Sequence, residues 1–576
     1  MDANEARDYD EDTSPSWRWI PFGLASCFVL VIGTIADFFG PMDLGDVFPS
    51  DAVAYLDCAR AFGRGDFHAA LNPLWSPGYP ALLATVRPAF AVGADGVWWA
   101  AHALNLLIFM ASWFAFCWFV RELMGRHLNI AITTCTFLTA QVCVDQVSRI
   151  GPDKLGALCL YLTCALVLRL AREPGVWDGV LLGFALGAGF LAKAPLLPVG
   201  CVAMVAIWCQ LWRSRQRASL LLIPAGIFGL MVVSYGAALS HATGWRTLGE
   251  SGSLNYAWHV NRLEKWVHWQ GGALAASDAW DSPRLAGFAH WSEESPDFGR
   301  PDHPTQVVGS GPTMFFFQGG RHATYDPYYD PPFWYRGYWH VFNWRYQAIA
   351  LAKNGWHLLH AVAVQPFFWA MGLLAAWGLH KRDQYVRLRN LWPIVAVSLA
   401  GICIYLPVHL EDRYIGASLA VLAMTMVAGS SSARREHRVV LGLICTVFFA
   451  GLAMNQHESW ANALRGKSHR DNAKWKLGKA LRGAGLGYGA QVGVVSSGPN
   501  YDCDWAYLGQ VEIVAEIASG KDESAFVNLS ETQRKLVVAR FSAGDATALL
   551  TRDEEVGRLP GWVQLGDLPL WIYRRR

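Results

Sequence analysis

The chain contains 576 residues, of which 53% are hydrophobic and only 16% are charged. Soluble proteins carry about 25% charged residues, so this composition indicates an integral membrane protein. The net charge is +2 and no basic stripe is present, so the chain lacks the usual signature of a nucleic-acid-binding protein. The 12 cysteines form no Cys-x-x-Cys pair that would indicate a disulfide framework or a thiolate zinc site.

The apolar residues occur in runs that approach or reach the roughly 20 residues needed to cross a bilayer. Residues 1–18 form an acidic tail before the first run, which lacks an A-x-A cleavage motif and is predicted to be an uncleaved anchor. Eleven spans are predicted: Trp19–Phe39, Val97–Val120, Leu128–Val147, Leu155–Leu170, Trp177–Ala192, Ala194–Trp212, Leu220–Leu239, Trp356–Leu379, Leu391–Pro407, Ile415–Ala428 and Val439–Met454.

A twelfth apolar segment, Gly78–Val92, is predicted to be an interfacial helix. It is short, contains Arg87 and Pro88, and follows a Trp-Ser-Pro turn, which suits a helix at the membrane surface better than a full span. With this segment outside the bilayer, every strongly basic loop falls on one side. Because basic loops face the cytoplasm, we expect a multi-pass protein of the inner membrane with a cytoplasmic N-terminus.

This topology directs residues 40–95, the loop 241–355 and the tail 457–576 outward. The loop 241–355 is rich in Trp, Tyr, Gly and Pro and is too long for a passive connection, so we expect a lid or a binding surface. The tail is predicted to be a soluble extracytoplasmic α/β domain. Its predicted elements are a helix at Trp475–Leu481 and strands at Gln491–Ser497, Val511–Ile517 and Ala546–Thr551.

The predicted fold class is therefore an α-helical polytopic membrane protein with about 11 transmembrane helices, an interfacial helix and a small C-terminal α/β domain. Residues 19–456 form the transmembrane domain in this division, and residues 1–18 form the cytoplasmic tail. The chain shows no internal repeat.

The first outer segment places an acidic residue near the membrane surface. Ser50 can cap a helix that ends at Gly63 and Gly65, and Asp51 lies in its first turn. A carboxylate at this position can complement the helix dipole, and the local sequence alone favours this interpretation.

Other polar motifs also fall on the predicted outer side. They are Pro77-Gly78-Tyr79-Pro80, Arg149 and Asp153 around a Gly-Pro turn before the fourth span, Lys193 between two spans in Leu-Ala-Lys-Ala-Pro, and Arg413-Tyr414 before the tenth span. Each of the three cations has an alternative role, because long basic side chains at the ends of spans also reach lipid headgroups.

The order and the common outer placement of these motifs resemble the GT-C glycosyltransferases. The similar branch contains the dolichyl-phosphate-mannose protein mannosyltransferases and the bacterial aminoarabinose transferase of lipid A. The resemblance covers Trp19 to about Met454 and implies inverting transfer of a hexose or pentose from a polyprenyl-phosphate carrier to a lipid, glycan or protein acceptor. The expected partners are thus the lipid-linked donor, membrane lipids and an unidentified acceptor.

The resemblance also implies roles for individual residues. Asp51 matches the acidic residue of the first outer loop, which is the proposed general base, and Asp153 matches the second outer acid, for which shaping the site is the expected role. Arg149, Lys193 and Arg413 are candidates for binding the donor phosphate, and we expect two of the three to do so. Tyr55, Tyr79 and Tyr414 are candidate substrate contacts.

No cofactor is expected. Oligosaccharyltransferases resemble the same module but carry an Asp-x-Asp motif in the second outer turn, whereas this chain has Gly-Pro-Asp-Lys at 151–154, which does not support a divalent metal site. His357 and His360 share a helix face but, with no outward-facing acid expected near them, they are predicted to be interfacial.

Three alternative functions remain from the sequence. The first is a polytopic transporter, which would carry charged residues within its spans, and these are scarce here. The second is a ligase or polymerase of lipid-linked glycans, whose donor would be linked through a diphosphate. The third is a non-catalytic assembly protein, whose tail would recruit partners. The outer-face polar residues favour the transferase.

Overall fold

The chain is mostly helical, with a small sheet that contains its C-terminal strands. The architecture comes from a computed structural model. It describes residues 15–40, 50–86, 93–125, 129–145, 147–213, 218–262, 305–308, 311–317, 323–329, 342–365, 367–369, 371–372, 386, 388–430, 435–497, 503–543 and 546–574.

The helices fall into an apolar bundle and a second group of helices outside it. The apolar bundle is formed by Pro15–Phe38, Gly93–Met124, Ile130–Leu138, Asp153–Arg172, Val176–Ala192, Leu196–Arg213, Leu222–Thr243, Trp344–Ala363, Trp392–Cys403, Asp412–Ser430 and Arg435–Asn455. The other helices are Ser50–Arg64, Phe67–Ala70, Gly78–Ala84, Ala218–Leu221, Ser251–His259, Asp326–Tyr329, His457–Leu464, His469–Asp471, Ala473–Gly483, Asp504–Gly509, Lys521–Val527, Glu531–Ala543 and Glu554–Gly557.

Each of the eleven predicted spans overlaps a helix of the described chain. Among the described residues, five helices are long and apolar enough to cross a membrane: Ile20–Phe38, Gly93–Met124, Asp153–Arg172, Leu196–Arg213 and Ser219–Thr243. Shorter apolar helices are Ile130–Val144, Val176–Ala192, Trp392–Cys403 and Cys445–Asn455. The chain is therefore a helical protein of membrane type, and the number of crossings stays a prediction.

The predicted interfacial helix appears as Gly78–Ala84, and residues 87–92 of the prediction lie outside the described chain. This helix packs tightly on the turn before Lys193. A Cβ atom on Gly78 would lie 2.8 Å from the carbonyl oxygen of Leu191, so only glycine permits this approach. The close contact brings the first outer segment against the end of helix Val176–Ala192.

A π-helical turn, Thr139–Val144, interrupts the third apolar segment. The amide of Asp145 donates to the carbonyl of Ala140 at 2.9 Å, which is the i→i−5 bond of such a turn. Asp145 and Gln141 face the interior, and the Gln141 amide donates to Asp145 at 2.5 Å. The turn thus places two polar side chains within an apolar bundle.

The sheet contains seven strands in the order β1-β2-β4-β3-β5-β7-β6. These are β1 Thr305–Val308, β2 Met314–Phe317, β3 Ala490–Ser497, β4 Val511–Ala518, β5 Ala548–Thr551, β6 Trp562–Gln564 and β7 Trp571–Arg574. Strand β3 is parallel to β4 and β5, and the other pairs are antiparallel.

Two strands of this sheet, β1 and β2, come from the loop 241–355 and not from the tail. Phe315 and Phe316 of β2 pair with β4, so the loop completes the sheet. One hydrophobic cluster joins the sheet to helix Ser50–Arg64 and to the first turns of Gly93–Met124, through residues such as Leu56, Trp98 and Ile513. The sheet is therefore packed on the segment that carries Asp51.

Candidate active site

Three helix ends meet at one end of the apolar bundle. Asp153 begins its helix directly after Pro152, and Lys193 follows helix Val176–Ala192 in an extended conformation that precedes Pro195. Arg413 lies in the first turn of helix Asp412–Ser430. Because a charged residue occupies each of these ends, the chain concentrates opposite charges where the apolar helices stop.

Arg413 is the centre of the ionic cluster. Its guanidinium lies 3.6 Å from Asp51 Oδ2, 3.6 Å from Asp153 Oδ2 and 2.6 Å from Glu411 Oε2. Three carboxylates thus surround one cation that is only 15% exposed. Lys193 supplies a second positive charge through its ion pair with Asp153, and its ammonium lies 3.7 Å from the centre of the Tyr414 ring.

Asp51 is the most accessible carboxylate of this cluster. Its side chain is 38% exposed, whereas that of Asp153 is 10% exposed and is held by both Lys193 and Arg413. The phenol of Tyr328 donates a hydrogen bond to Asp51 Oδ1 at 2.5 Å. One carboxylate oxygen is therefore occupied by a neutral donor, and the other faces the guanidinium.

Two half-buried tyrosines near Asp51 remain protonated. Burial raises the pKa of Tyr328 well above its usual range, and the carboxylate of Asp51 raises this pKa further. The pKa of Tyr55 is raised in the same way, by burial first and then by the charges of Asp51 and Asp153. Both phenols therefore act as neutral hydrogen-bonding groups.

Glu411 keeps its negative charge beside Arg413. Burial raises its pKa, but the hydrogen bond from His409 and the charge and hydrogen bond of Arg413 outweigh this effect, so that the pKa of Glu411 lies well below its usual range. His409 Nε2 is 3.2 Å from Glu411 Oε1, and the His409 ring stacks on His259 with 3.7 Å between the ring centres.

These groups line a cavity of about 700 Å³. Its charged and polar wall contains Asp51, Tyr55, Arg149, Asp153, Lys193, Tyr328, Glu411, Arg413 and Tyr414. Trp75 and Ser76 contribute a further side, and Trp75 stacks on Tyr328 with 5.8 Å between the ring centres. A cavity of this size accommodates a sugar and a phosphate.

One wall of the cavity is apolar and reaches the outside of the bundle. It contains Ala194, Pro195, Pro198, Ile404 and Val408, at the adjoining ends of the packed helices Leu196–Arg213 and Trp392–Cys403. Pro198 and Ile404 are exposed. The cavity therefore has a hydrophobic side next to its ionic cluster.

Helix Ser251–His259 covers the cavity from the loop 241–355. Ser251, Gly252, Asn255, Trp258 and His259 line the cavity, and their spacing places them on one face of the helix. This helix was not predicted, because the sequence of the loop shows no helical periodicity. The loop nevertheless lines the cavity through this helix.

The structure brings seven of the eight predicted site residues to this cavity and leaves one elsewhere. Asp51, Asp153, Arg149, Lys193, Arg413, Tyr55 and Tyr414 line it. Tyr79 does not: its side chain is fully buried, and its hydroxyl donates to Asn105 Oδ1 at 2.7 Å. Its aromatic ring packs edge to face against Tyr55, so Tyr79 supports the site from behind.

The structure corrects the expectation for His357. This residue has an acidic partner, because its Nε2 lies 3.1 Å from Asp412 Oδ1, although the sequence suggested none. A second contact that the sequence did not predict is the hydrogen bond from Tyr328 to Asp51. Neither contact has a local sequence signal, since the partners lie 55 and 277 residues apart.

Among the described residues, no group of three or more His, Cys, Asp or Glu side chains has the arrangement of a metal site. The acidic residues of the cavity are paired with Arg413 and Lys193, which occupy the position that a cation bound by Asp51 and Asp153 would need. The donor set therefore does not fit a divalent metal ion.

Comparisons with known proteins give structural neighbours only: no known sequence family and no curated protein matches the chain. One neighbour is the archaeal oligosaccharyltransferase AglB from Archaeoglobus fulgidus, solved in complex with an inhibitory peptide and a dolichol-phosphate. Its TM-score is 0.48 at 11% identity, over 93% of this chain and 70% of that chain.

Two further neighbours are structures of ArnT from Cupriavidus metallidurans. The apo form has a TM-score of 0.41 at 15% identity, and the form bound to undecaprenyl phosphate has 0.43 at 14% identity. Each covers 97% of this chain and 98% of that chain. Similarity at this level carries no argument about fold or activity, so the residues of the site decide the function.

Proposed function

We propose that this protein is an inverting membrane glycosyltransferase. It transfers a sugar from a polyprenyl-phosphate carrier to an acceptor hydroxyl on the outer face of the inner membrane. The observation that carries this proposal is the composition of one cavity: the accessible carboxylate of Asp51 shares it with the cations Lys193 and Arg413, next to an apolar wall at the end of the helix bundle.

Asp51 is the general base in this mechanism. It accepts the proton of the acceptor hydroxyl while the acceptor oxygen attacks the anomeric carbon from the face opposite the phosphate. The bond between the anomeric carbon and the phosphate oxygen breaks, and its electron pair leaves with the phosphate. The products are the glycosylated acceptor, the polyprenyl phosphate with one more negative charge, and a proton that Asp51 releases.

The leaving phosphate needs positive charge where its own charge increases. Lys193 and Arg413 line the cavity beside Asp51, and Arg149 lies on the same wall. Charge-assisted hydrogen bonds from such groups are stronger than neutral ones, particularly away from bulk water. Asp153 is a positioning residue in this scheme, because it holds the Lys193 ammonium and one side of the Arg413 guanidinium.

The surroundings of the cavity suit a lipid-linked donor. The apolar wall at Pro198 and Ile404 reaches the outside of the bundle, where a polyprenyl chain remains in a hydrocarbon environment while its phosphate contacts the cations. Arg169 and Arg172 end the helix that Asp153 begins, so the basic residues lie at the opposite end of the bundle from the cavity. Since basic ends face the cytoplasm, this arrangement supports an outer-face site.

A donor assay in lipid nanodiscs tests the function. The purified full-length protein is incubated with polyprenyl-monophosphate sugars of several kinds, and donor consumption is followed by mass spectrometry. We expect consumption of at least one of these donors, no use of UDP- or GDP-sugars, and no loss of activity with a chelator. Turnover of a nucleotide sugar without a lipid carrier would contradict the proposal.

Two other measurements separate the alternatives. Use of a polyprenyl-diphosphate oligosaccharide in place of the monophosphate would indicate a ligase or polymerase, and uptake of substrate without any covalent change would indicate a transporter. Comparison of envelope glycans by mass spectrometry, with and without the protein, identifies the acceptor and the sugar.

A further inference from the structure

A short segment of the loop 241–355, residues 323–329, lies between the sheet and the first outer segment. We call it the strap. Its contact with the site is the hydrogen bond from Tyr328 to Asp51. The strap ends in the short helix Asp326–Tyr329, so the position of Tyr328 is fixed by the backbone around it.

The strap is fastened to helix Ser50–Arg64 at a second point. The amide of Thr324 donates to Asp57 Oδ2 at 2.8 Å, and its hydroxyl lies 3.2 Å from Asp57 Oδ1. Asp57 is buried and also pairs with Arg60 at 3.1 Å. Burial raises the pKa of Asp57, although Arg60 and Thr324 oppose this effect.

A third fastening joins the strap to the segment before Ser76. The carbonyl of Tyr329 accepts hydrogen bonds from Asn72 at 2.8 Å and from the Trp75 indole at 3.1 Å, and the Tyr329 hydroxyl donates to the carbonyl of Ala69. All of these groups are buried. The strap is thus held at several points between Asp51 and Trp75.

The strap also contacts strand β4 of the sheet. Tyr325 forms a bridge with Ile513 of β4, and the amide of Ile513 donates to the carbonyl of Thr324 at 2.9 Å. The Tyr325 hydroxyl lies 3.0 Å from both carboxylate oxygens of Glu516, which is 2% exposed. Neighbouring residues of one strap therefore contact β4 and the helix of Asp51.

We propose that the strap makes the C-terminal sheet a positioning element of the active site, and that Tyr328 is the positioning residue through which it acts on Asp51. The inference rests on the proposed role of Asp51 as the base. A carboxylate in a first helical turn can rotate, and a hydrogen bond to one oxygen restricts that rotation and directs the other oxygen into the cavity.

The Tyr328→Phe variant tests the catalytic part of this proposal. It keeps the ring that stacks on Trp75 and removes only the hydroxyl. We expect kcat to fall by about 10-fold or more with little change in the KM for the donor, because the phosphate contacts remain. The thermal unfolding temperature should change little, because the ring and its contact with Trp75 are retained.

Tyr573→Phe is the matched control, because Tyr573 lies in β7, away from the cavity. It should leave kcat and KM unchanged. In Tyr328→Phe, a higher KM for the donor or a lower thermal unfolding temperature together with the lower kcat would indicate a general structural role for Tyr328 and overturn its assignment. An unchanged kcat in Tyr328→Phe would overturn it as well.

Hydrogen exchange without substrate tests the link to the sheet independently of any activity. Glu516→Leu removes the acceptor of the Tyr325 hydroxyl, and Glu516→Gln retains one. We expect faster amide exchange in the strap and in helix Ser50–Arg64 for the leucine variant, with recovery in the glutamine variant. Glu531→Leu, on an exposed helix of the same domain, should leave these amides unchanged.

The two experiments separate the two proposals. If amide exchange follows the expected pattern but the protein uses no polyprenyl-phosphate sugar, the proposed function is wrong. The inferred link between the sheet and helix Ser50–Arg64 is then still supported. If the donor is used but Glu516→Leu leaves the helix of Asp51 unchanged, the link to the sheet is wrong. Faster exchange also in helix Asp153–Arg172 would mean general unfolding, and the Tyr328→Phe kinetics then decide.

Discussion

Arg413 and Asp51 face each other with 3.6 Å between the guanidinium nitrogen and the carboxylate oxygen. Both groups line the same cavity, so the cation lies beside the carboxylate that we propose as the general base. The same guanidinium contacts Asp153 and Glu411, so the position of Arg413 depends on three acidic residues. Substitutions in this cluster should therefore affect catalysis and donor binding differently.

Asp51→Asn should abolish most of the activity while leaving the fold intact. Asparagine is about as good as aspartate near a helix start, but it cannot accept the proton, and loss of a general base lowers the rate by about 100- to 10,000-fold. The measurement is kcat with a saturating donor, together with the thermal unfolding temperature. Activity close to that of the wild type would remove Asp51 from the mechanism.

The appropriate control for this variant is Asp66→Asn. Asp66 lies in the same outer segment, is exposed, and caps helix Phe67–Ala70 by accepting from the amide of Ala69, which asparagine can also do. Asp57, on the same helix as Asp51, is not a suitable control, because it is buried in contacts with Thr324 and Arg60.

Lys193→Met should weaken donor binding more than it slows the chemical step. A charge-assisted hydrogen bond contributes about 1.5–3 kcal/mol, so we expect the KM for the donor to rise by roughly 10- to 150-fold. Lys193→Arg should recover part of the loss. Lys353→Met, on an exposed position of helix Trp344–Ala363, serves as the control, and an unchanged KM in Lys193→Met would contradict phosphate binding by this residue.

The Glu411 ion pair predicts acid sensitivity. The pKa of Glu411 in the folded protein is lowered, so its stabilising contribution is complete above the ordinary glutamate pKa of 4.5 and is lost as the pH falls below that value. In Glu411→Gln this part of the acid destabilisation should disappear. Thermal unfolding measured from pH 3 to pH 7 gives the comparison; parallel curves for the two proteins would show that the pair does not contribute.

The topology makes a separate prediction. Single cysteines introduced at Ser530 and at Ser277 should react with a membrane-impermeant reagent on intact cells with a permeabilised outer membrane, whereas a cysteine at Ser214 should react only after the inner membrane is opened. Ser530 lies in the C-terminal domain, and Ser214 and Ser277 lie outside the described residues. Labelling of Ser214 from outside would reverse the orientation and place the cavity in the cytoplasm.

Much of the fold follows from local sequence patterns. Apolar run length marks the helices, and the alternation in the tail predicts strands β3, β4 and β5 within two residues of their observed bounds. Strands β1 and β2 have four residues each and lie in a Gly- and Pro-rich loop. They are strands because β4 offers a free edge, which is a property of the tertiary structure that no local pattern contains.

The candidate site shows the same division. The sequence predicted that four charged residues lie together, because their motifs all fall on the predicted outer side. These residues are Asp51, Asp153, Lys193 and Arg413. The hydrogen bond between Tyr328 and Asp51 did not follow, because the loop of Tyr328 is rich in similar aromatic residues. Tyr79 was placed in the site by its motif, yet its position on the short helix turns its hydroxyl toward Asn105.

The π-helical turn at Thr139–Val144 has a consequence for the length of the chain. A regular α-helix would advance each residue by about 100°, and the wide turn contains one residue more than a regular one. Deletion of one residue, for example Ala140, would close the wide turn into a regular one and leave the flanking helical residues in nearly the same register. It would also remove the local geometry in which Gln141 and Asp145 face the interior and the Gln141 amide donates to Asp145. The polar pair inside the apolar bundle thus depends on one additional residue in the chain.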